Sequence, residues 1–412
     1  SRHPHHRTES EMGHTFDTDA AVGHCPFMPV FGPPALMLER GDGTEVFATD
    51  GTRYLDFLAG ISVVSLGHSH PVVADAIADQ ARKLVHFSNF FANPVATAAA
   101  MSIDGLLTDA TGRSGQVFFT NSGAEANECA LKLARKYAGL GRHKVVTALG
   151  SFHGRTLATL AATGQPAKHE PFAPMPDGFI HVPWGDLAAI EAAVDETVGA
   201  VFLESIQGEG GVNPAPNGYL EGVREICTRK GALMMIDEVQ TGFARTGEWF
   251  GFEHSGVSPD VVTLAKAMGN GMPIGACWAP VEVAAAFVPG DHGSTYSGTA
   301  LATAAVEAVI SEMKRLDACS LARVGESKIR AMLDGADGVI GVRGNGLLLG
   351  VALEDGITAG DVAAEALTNG LIVNAVNAAT IRIAPPLTVS EGEVEEAMGI
   401  LLSAIATVKA AS

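Results

Sequence analysis

Two segments of this chain end an apolar run in charge: Met235-Ile236-Asp237-Glu238-Val239-Gln240, then Leu264-Ala265-Lys266-Ala267-Met268-Gly269. Lys266 lies 29 residues after Asp237. Each apolar run reads as a buried strand, and the small or polar residues after the charge read as a loop. A buried strand end is a poor place for an unpaired charge, because desolvation costs several kcal/mol. Opposite charges at two such ends suggest a carboxylate and an amine facing one bound molecule. The amine is able to form a Schiff base, and the carboxylate to keep a ring nitrogen protonated. A pyridoxal phosphate enzyme needs that combination.

Five further motifs carry chemistry-bearing residues. Asn121-Ser122-Gly123-Ala124-Glu125-Ala126 lies between a strand and a helix. Its first-turn N–H groups suit a phosphate, although an ordinary turn capped by Ser122 or Asn121 has the same composition. In Ser151-Phe152-His153-Gly154-Arg155-Thr156, Phe152 suits stacking on a planar ring and Arg155 suits a carboxylate. The plainer reading makes Phe152 core, His153 a turn residue and Arg155 a surface charge. Glu204-Ser205-Ile206-Gln207-Gly208-Glu209-Gly210-Gly211 brings two acids and three glycines to another strand end. A solvated loop is the plain alternative there. His292-Gly293-Ser294-Thr295-Tyr296-Ser297-Gly298 is a hydroxyl-rich loop. In Ile381-Arg382-Ile383, strand alternation turns Arg382 away from its isoleucines, toward a cleft or toward solvent.

The elements that position these motifs alternate. Strands are expected at Val117–Thr120, Lys144–Thr147, Ala200–Glu204, Leu233–Ile236 and Val261–Leu264, with helices over Ala124–Tyr137 and Leu220–Lys230. This alternation predicts an α/β fold with a mostly parallel sheet between helices. Ligands sit beyond the carboxyl ends of such strands, where Asp237 and Lys266 fall. Short antiparallel strands are expected over residues 36–48. A long helix, Ala300–Leu316, leads into a smaller α+β section with strands at Leu347–Leu353 and 381–383. The expected division is an arm over residues 1–20, an N-terminal segment over 21–60 that joins the small domain, a large domain over 61–300 and a C-terminal small domain over 301–412.

Composition narrows the class of protein. The 412 residues are 47% hydrophobic and 18% charged, which suits a large core. A net charge of −19 argues against nucleic acid and anionic membranes as partners. No apolar run reaches the ~18–20 residues of a membrane span. Five scattered cysteines, without a CxxC, argue against a disulfide framework or a zinc site and for a cytoplasmic setting. His3, His5, His6 and His14 read as part of a mobile arm rather than a metal site.

From about Pro29 to Val408 the chain resembles the class III aminotransferases, pyridoxal phosphate enzymes of fold type I. The resemblance rests on Tyr54–Gly60, Asn121–Ala134, Phe152–Lys168, Gln207–Gly211, Asp237–Gly247 and His292–Tyr296. It implies that Lys266 binds the cofactor as a Schiff base and that Asp237 pairs with its pyridine nitrogen. Val239 and Phe152 would sandwich the ring, and Gln240 would contact its hydroxyl. Ser122, Gly123 and Ala124 would hold the phosphate, and Thr295 would reach the phosphate of a neighbouring subunit in a homodimer. Arg155 would clamp a substrate carboxylate, and Ser294 would contact an acylated substrate. Arg382 would bind the α-carboxylate of glutamate, with Glu209 covering it when an ω-amine is bound. No metal is implied.

The branch most resembled acts on N2-acetylornithine with 2-oxoglutarate, in arginine biosynthesis. Ornithine, succinylornithine, 4-aminobutyrate or another diamine are alternatives, and an aminomutase or a non-catalytic cofactor-binding protein is a further one. Phe31, the stretch Gly60–Ser65, Ser205, Phe90–Asn93 and Ser297–Ala300 depart from the family pattern. They are expected around the substrate mouth or the dimer loop.

Overall fold

The computed structural model describes residues 26–32 and 34–412. The histidine-bearing arm and Cys25 lie outside the described residues. Near the N-terminus, β1 (Leu38–Asp42), β2 (Glu45–Ala48) and β3 (Arg53–Asp56) form the expected antiparallel ladder.

A seven-stranded sheet comes next. It comprises β4 (Gly115–Thr120), β5 (Lys144–Ala148), β6 (Phe179–Val182), β7 (Val198–Glu204), β10 (Leu233–Asp237), β11 (Val261–Leu264) and β12 (Gly275–Pro280). Between β7 and β10 lies a small hairpin of β8 (Ile206–Gln207) and β9 (Asn213–Pro214). The spatial order is β4-β12-β11-β10-β7-β5-β6. Only β12 runs against its neighbours; the other six strands run one way. Every residue of β7, β10, β11 and β12 is buried. That is why these segments read as continuous apolar runs without alternation.

The strand β12 is not legible as a strand in the sequence. Its residues, Gly-Ala-Cys-Trp-Ala-Pro, are small where strands favour branched ones. Gly275 explains one of them. A Cβ there would fall 2.5 Å from the carbonyl oxygen of Ser122 and 2.5 Å from Thr120 Oγ1. The strand is thus packed directly behind the turn that starts the next helix. That helix, Gly123–Ala138, is capped by Ser122, whose hydroxyl accepts from Glu125 N. The helix Tyr219–Lys230 ends at Gly231, where φ is +69°, a conformation that favours glycine.

After the long helix Ala300–Leu316 comes a second helix, Ala318–Leu333, and then four more strands and a short fifth. These are β13 (Val339–Asn345), β14 (Leu348–Leu353), β15 (Leu371–Ile372), β16 (Asn374–Asn377) and β17 (Thr380–Ile383). Four of them form a sheet in the order β13-β14-β17-β16. The fifth, β15, pairs in parallel with β3, setting Leu371 opposite Leu55. The two ends of the described chain therefore share a sheet.

Gly275→Ala should lower stability by about 1–3 kcal/mol, the usual cost of overpacking a filled site. Urea unfolding of the variant measures this. An unchanged midpoint would show that the turn at Ser122 yields freely.

Candidate active site

The centre of the site is the Asp237 carboxylate at the end of β10. It is only 5% exposed. Its Oδ2 accepts from Asn127 Nδ2 and faces His153 Nδ1, both at 2.9 Å. Its Oδ1 accepts from Val239 N, also at 2.9 Å. His153 is held by its own backbone N–H to Thr163 Oγ1 and by stacking on Phe202, with ring centroids 4.2 Å apart. Asn127 donates in addition to the carbonyl of His153, at 2.7 Å. Three elements thus converge on one carboxylate, which keeps an oxygen edge toward a cavity of about 440 Å³.

The sequence motifs meet around this cavity. Ser122, Gly123, Ala124, Phe152, Arg155, Glu209, Asp237, Val239, Gln240 and Lys266 all line it. The first turn of the helix Gly123–Ala138 opens into it, and the N–H groups there lack intrahelical acceptors. At Gly123 a Cβ would fall 2.8 Å from Val239 Cγ1, so the backbone reaches the cavity only because this residue is glycine.

Lys266 follows β11 with a φ of 50°. A non-glycine residue in that region is strained, and such strain clusters at functional sites. Desolvation holds its amine down at about 8, with Glu209 and Asp237 opposing through space and Arg382 reinforcing.

On the far wall Arg382 is 1% exposed and meets Glu209 Oε1 at 2.5 Å. Its Nε donates to Asn374 Oδ1 at 3.0 Å, and Nη1 reaches Gln240 Oε1 at 3.3 Å. The surface-arginine reading of this position is therefore excluded. Arg155 is exposed and sits 5.8 Å from the Phe152 ring centroid. Ser294 and Thr295 are not brought to this cavity. They line a separate depression with His86, Asn89 and Phe90.

Two expectations need correction. Ser65 and Ser205 do not lie at the mouth. Ser65 is fully buried and its Oγ accepts from Arg245 Nη2 at 2.8 Å. Ser205 is buried and donates to Glu238 Oε1 at 2.5 Å. Glu238 also accepts from Thr241 Oγ1, Gly251 N and Phe252 N. Burial far from any cation still pushes its carboxyl up to about 7 against these four donors.

The motifs do not single out Asn127, though its spacing of four from Gly123 puts both on one helix face. Glu204, which the sequence alone suggests is a solvated acid, is buried beside Asp237 in register and accepts from Phe152 N at 3.2 Å. Burial, and then the Asp237 charge, push its carboxyl well above the ordinary range.

An amine, an anion cradle, a held carboxylate and a masked arginine at the carboxyl ends of one mostly parallel sheet define a group-transfer site for an amino compound. Comparison with known proteins makes the class specific. The profile of the class-III aminotransferases matches residues 29–405. The chain is 46% identical over 386 residues to the acetylornithine aminotransferase of Corynebacterium efficiens, covering 92% of this chain and 95% of that one. The acetylornithine aminotransferase of Methanothermobacter thermautotrophicus is 44% identical, with 91% and 95% covered. Among solved structures, ornithine aminotransferase from Toxoplasma gondii superposes with a TM-score of 0.89 at 31% identity, covering 96% of this chain and 95% of that one. N-acetylornithine aminotransferase from Stenotrophomonas maltophilia gives 0.80 at 33%, with 92% and 98% covered. The chain belongs to the class-III aminotransferases, and it is an aminotransferase.

The raised Glu238 carboxyl makes stability depend on pH. Between its ordinary value of 4.5 and about 7 the folded chain holds a proton that the unfolded chain has released. Stability should therefore fall as pH rises through this window, by up to ~1.4 kcal/mol per pH unit. Glu238→Gln removes that contribution. Guanidinium unfolding at pH 5.5 and 7.5 should show a smaller pH slope in the variant, and equal slopes would refute the assignment.

Proposed function

We propose that this aminotransferase uses pyridoxal 5′-phosphate to move the ω-amine of N2-acetyl-L-ornithine to 2-oxoglutarate. The products are N-acetylglutamate 5-semialdehyde and L-glutamate, and the setting is arginine biosynthesis in the cytoplasm. The observation that carries this reading is Arg382 paired with Glu209 inside the cavity of Lys266. An enzyme that takes glutamate in one half-reaction and an ω-amine in the other needs a carboxylate-binding cation that is covered in turn. An aminomutase, which keeps its amine within one molecule, has no such need.

The cavity's donor set fits the cofactor. Ser122, Gly123 and Ala124 offer a helix N-terminus to the phosphate. Phe152 and Val239 offer apolar faces to the ring, and Gln240 an amide to its hydroxyl. Pyridoxal phosphate supplies an aldehyde that binds amines covalently and a ring that takes up an electron pair from the substrate carbon. Asp237 keeps the ring nitrogen protonated, and its own charge is sustained by Asn127, His153 and Val239 N. Lys266, with its amine lowered to about 8, gives up and recovers a proton near neutral pH. Its role is to carry the proton from the substrate's amine-bearing carbon.

The acylated substrate is favoured over free ornithine by charge. Glu209 is engaged by Arg382, Asp237 by its three donors, and Glu204 is held neutral. A free α-ammonium would find no ionised carboxylate available, whereas an acylated nitrogen carries no charge. Val63, Met272 and Pro273 on the wall suit an acyl group. Arg155 faces the substrate carboxylate.

Ser294 and Thr295 belong, in this reading, to the site of a second copy, with Thr295 reaching its phosphate. Phe31, Phe90 and Phe91 are largely exposed here and would be covered by that copy. Residues 21–60 and 301–412 would form the small domain and 61–300 the large one.

Steady-state assays with a panel of amines test the substrate. N2-acetylornithine should give the highest kcat/KM with 2-oxoglutarate; glutamate formed only from another amine would refute it. Lys266→Ala should abolish turnover and the borohydride-reducible cofactor adduct. Survival of that adduct would remove Lys266 from its role. Glu209→Gln uncovers Arg382 and should lower the kcat/KM ratio of acetylornithine to glutamate by about tenfold, ~1.4 kcal/mol. An unchanged ratio would show that Glu209 is no gate.

A further inference from the structure

Away from the cavity, two thiols face each other between the helix Gly123–Ala138 and β12. Cys129 and Cys277 are both buried and within hydrogen-bonding contact. They line a small cavity of about 200 Å³ with Phe118, Leu133 and Phe287. His292 stands at its edge, stacked on Phe287 with centroids 5.9 Å apart and tilted on Phe118 at 4.8 Å. Its ring also touches Cys129, and Lys132 Nζ lies 2.9 Å from His292 Nδ1. None of these groups takes part in the function proposed above.

The four described cysteines are not alike. The Cys277 thiol, then His292 and Lys132, hold the Cys129 thiol below its ordinary value, against burial. Cys277 is pushed up correspondingly, by Cys129 and by burial. Burial above all pushes Cys227 and Cys319 up to about 12. Thiolate character decides which cysteine reacts with an oxidant, so the pair contains both an attacking sulfur and a resolving one.

The geometry points to a modification site: Cys129 and Cys277 form a reversible disulfide when a hydroperoxide reaches the cavity they share. The Cys129 thiolate attacks a peroxide oxygen, the O–O bond breaks, and the departing hydroxide leaves as water once protonated. Cys129 is then a sulfenic acid. The Cys277 sulfur attacks the Cys129 sulfur, the S–O bond breaks, and the hydroxyl leaves as water with the Cys277 proton. Two thiols are oxidised and one hydrogen peroxide is reduced to two waters.

The position of the pair gives the bond a consequence, which rests on the cofactor reading. Cys129 shares a helix with the cradle Ser122–Ala124. Cys277 lies two residues beyond Gly275, which abuts the Ser122 carbonyl. A covalent tie between helix and strand pulls on the turn that would hold the phosphate. It also displaces His292, the residue that begins the loop carrying Ser294 and Thr295.

The test uses the full chain with Cys25→Ser, treated with hydrogen peroxide, then alkylated under denaturing conditions and mapped by mass spectrometry. The expected product is a Cys129–Cys277 linked peptide, formed before any change at Cys227 or Cys319 and lost on dithiothreitol. Cys277→Ser should stop at a sulfenic acid on Cys129 that dimedone traps, and Cys129→Ser should leave Cys277 reduced. Earlier reaction at Cys227 or Cys319 would overturn the site. So would a linked peptide appearing only after circular dichroism reports unfolding. Pyridoxal phosphate retention after dialysis should fall on oxidation and recover with dithiothreitol, with no such change in Cys277→Ser. A disulfide that forms without this loss would leave the modification standing and overturn its link to the cradle.

Discussion

A buried carboxylate with no cation in contact is the constraint on which the site turns. Asp237 sits where water does not stabilise it, so the protein must supply donors. It supplies three, and each comes from a different place. Asn127 fixes the rotation of the helix Gly123–Ala138 about its axis. His153 fixes the path of the loop after β5. Val239 N fixes the turn after β10 itself. Because Asn127 must face Asp237, Gly123 one turn earlier faces the cavity too. The same contact that sustains the charge thus aims the anion cradle. It also decides the neighbour's state. Glu204 lies beside Asp237 in register, and two adjacent carboxylates in a low dielectric do not both ionise readily. The one with better donors keeps the charge.

A second buried group ties the C-terminal strands to this arrangement. Arg245 is fully buried, and desolvation pulls its guanidinium down to about 9. Its hydrogen bonds go to neutral acceptors: the carbonyls of Leu347 and Pro385 and the hydroxyl of Ser65. Leu347 N returns a bond to the Arg245 carbonyl at 2.9 Å. Pro385 lies three residues after Arg382, and Ser65 two after Val63 of the cavity wall. One side chain therefore sets the loop of Asp237 against the strand of Arg382. Ser65, a departure when measured against the family pattern, is part of this clamp, which is why it bears on packing rather than on the mouth.

Much of the site was readable because its residues are expensive to place. Charges after apolar runs, at Asp237, Lys266 and Glu204, mark buried strand ends, and the alternating helices place those ends together. Arg382 was readable through strand alternation, although the choice between cleft and solvent needed Glu209 in space. The partners of Asp237 were not readable, since nothing local says which helix residue faces which strand end. The sheet order was equally hidden: β12 looks like a loop because its small residues answer to the Ser122 turn and to Cys129, both distant in sequence. Ser294 and Thr295 form a motif whose partners lie outside this cavity, so no single-chain geometry completes it.

The asymmetry of the Arg382–Glu209 pair says which partner moves. Arg382 is 1% exposed by side chain and braced by Asn374, while Glu209 is 30% exposed. The loop around Glu209 is itself held. Arg343 donates to the carbonyls of Gly211 and Val212 at 2.6 to 3.0 Å. At Gly208 a Cβ would fall 2.0 Å from Gln240 Oε1, so that backbone is pressed against the cavity wall. What remains free is the side chain of Glu209, flanked by glycines that crowd it little. Removing one partner from a buried ion pair costs about 3–5 kcal/mol when nothing replaces it. Glu209 therefore leaves Arg382 only as another carboxylate arrives. A gate of this kind opens for a dicarboxylate that brings its own anion and stays shut for an ω-amine whose carboxylate is bound elsewhere.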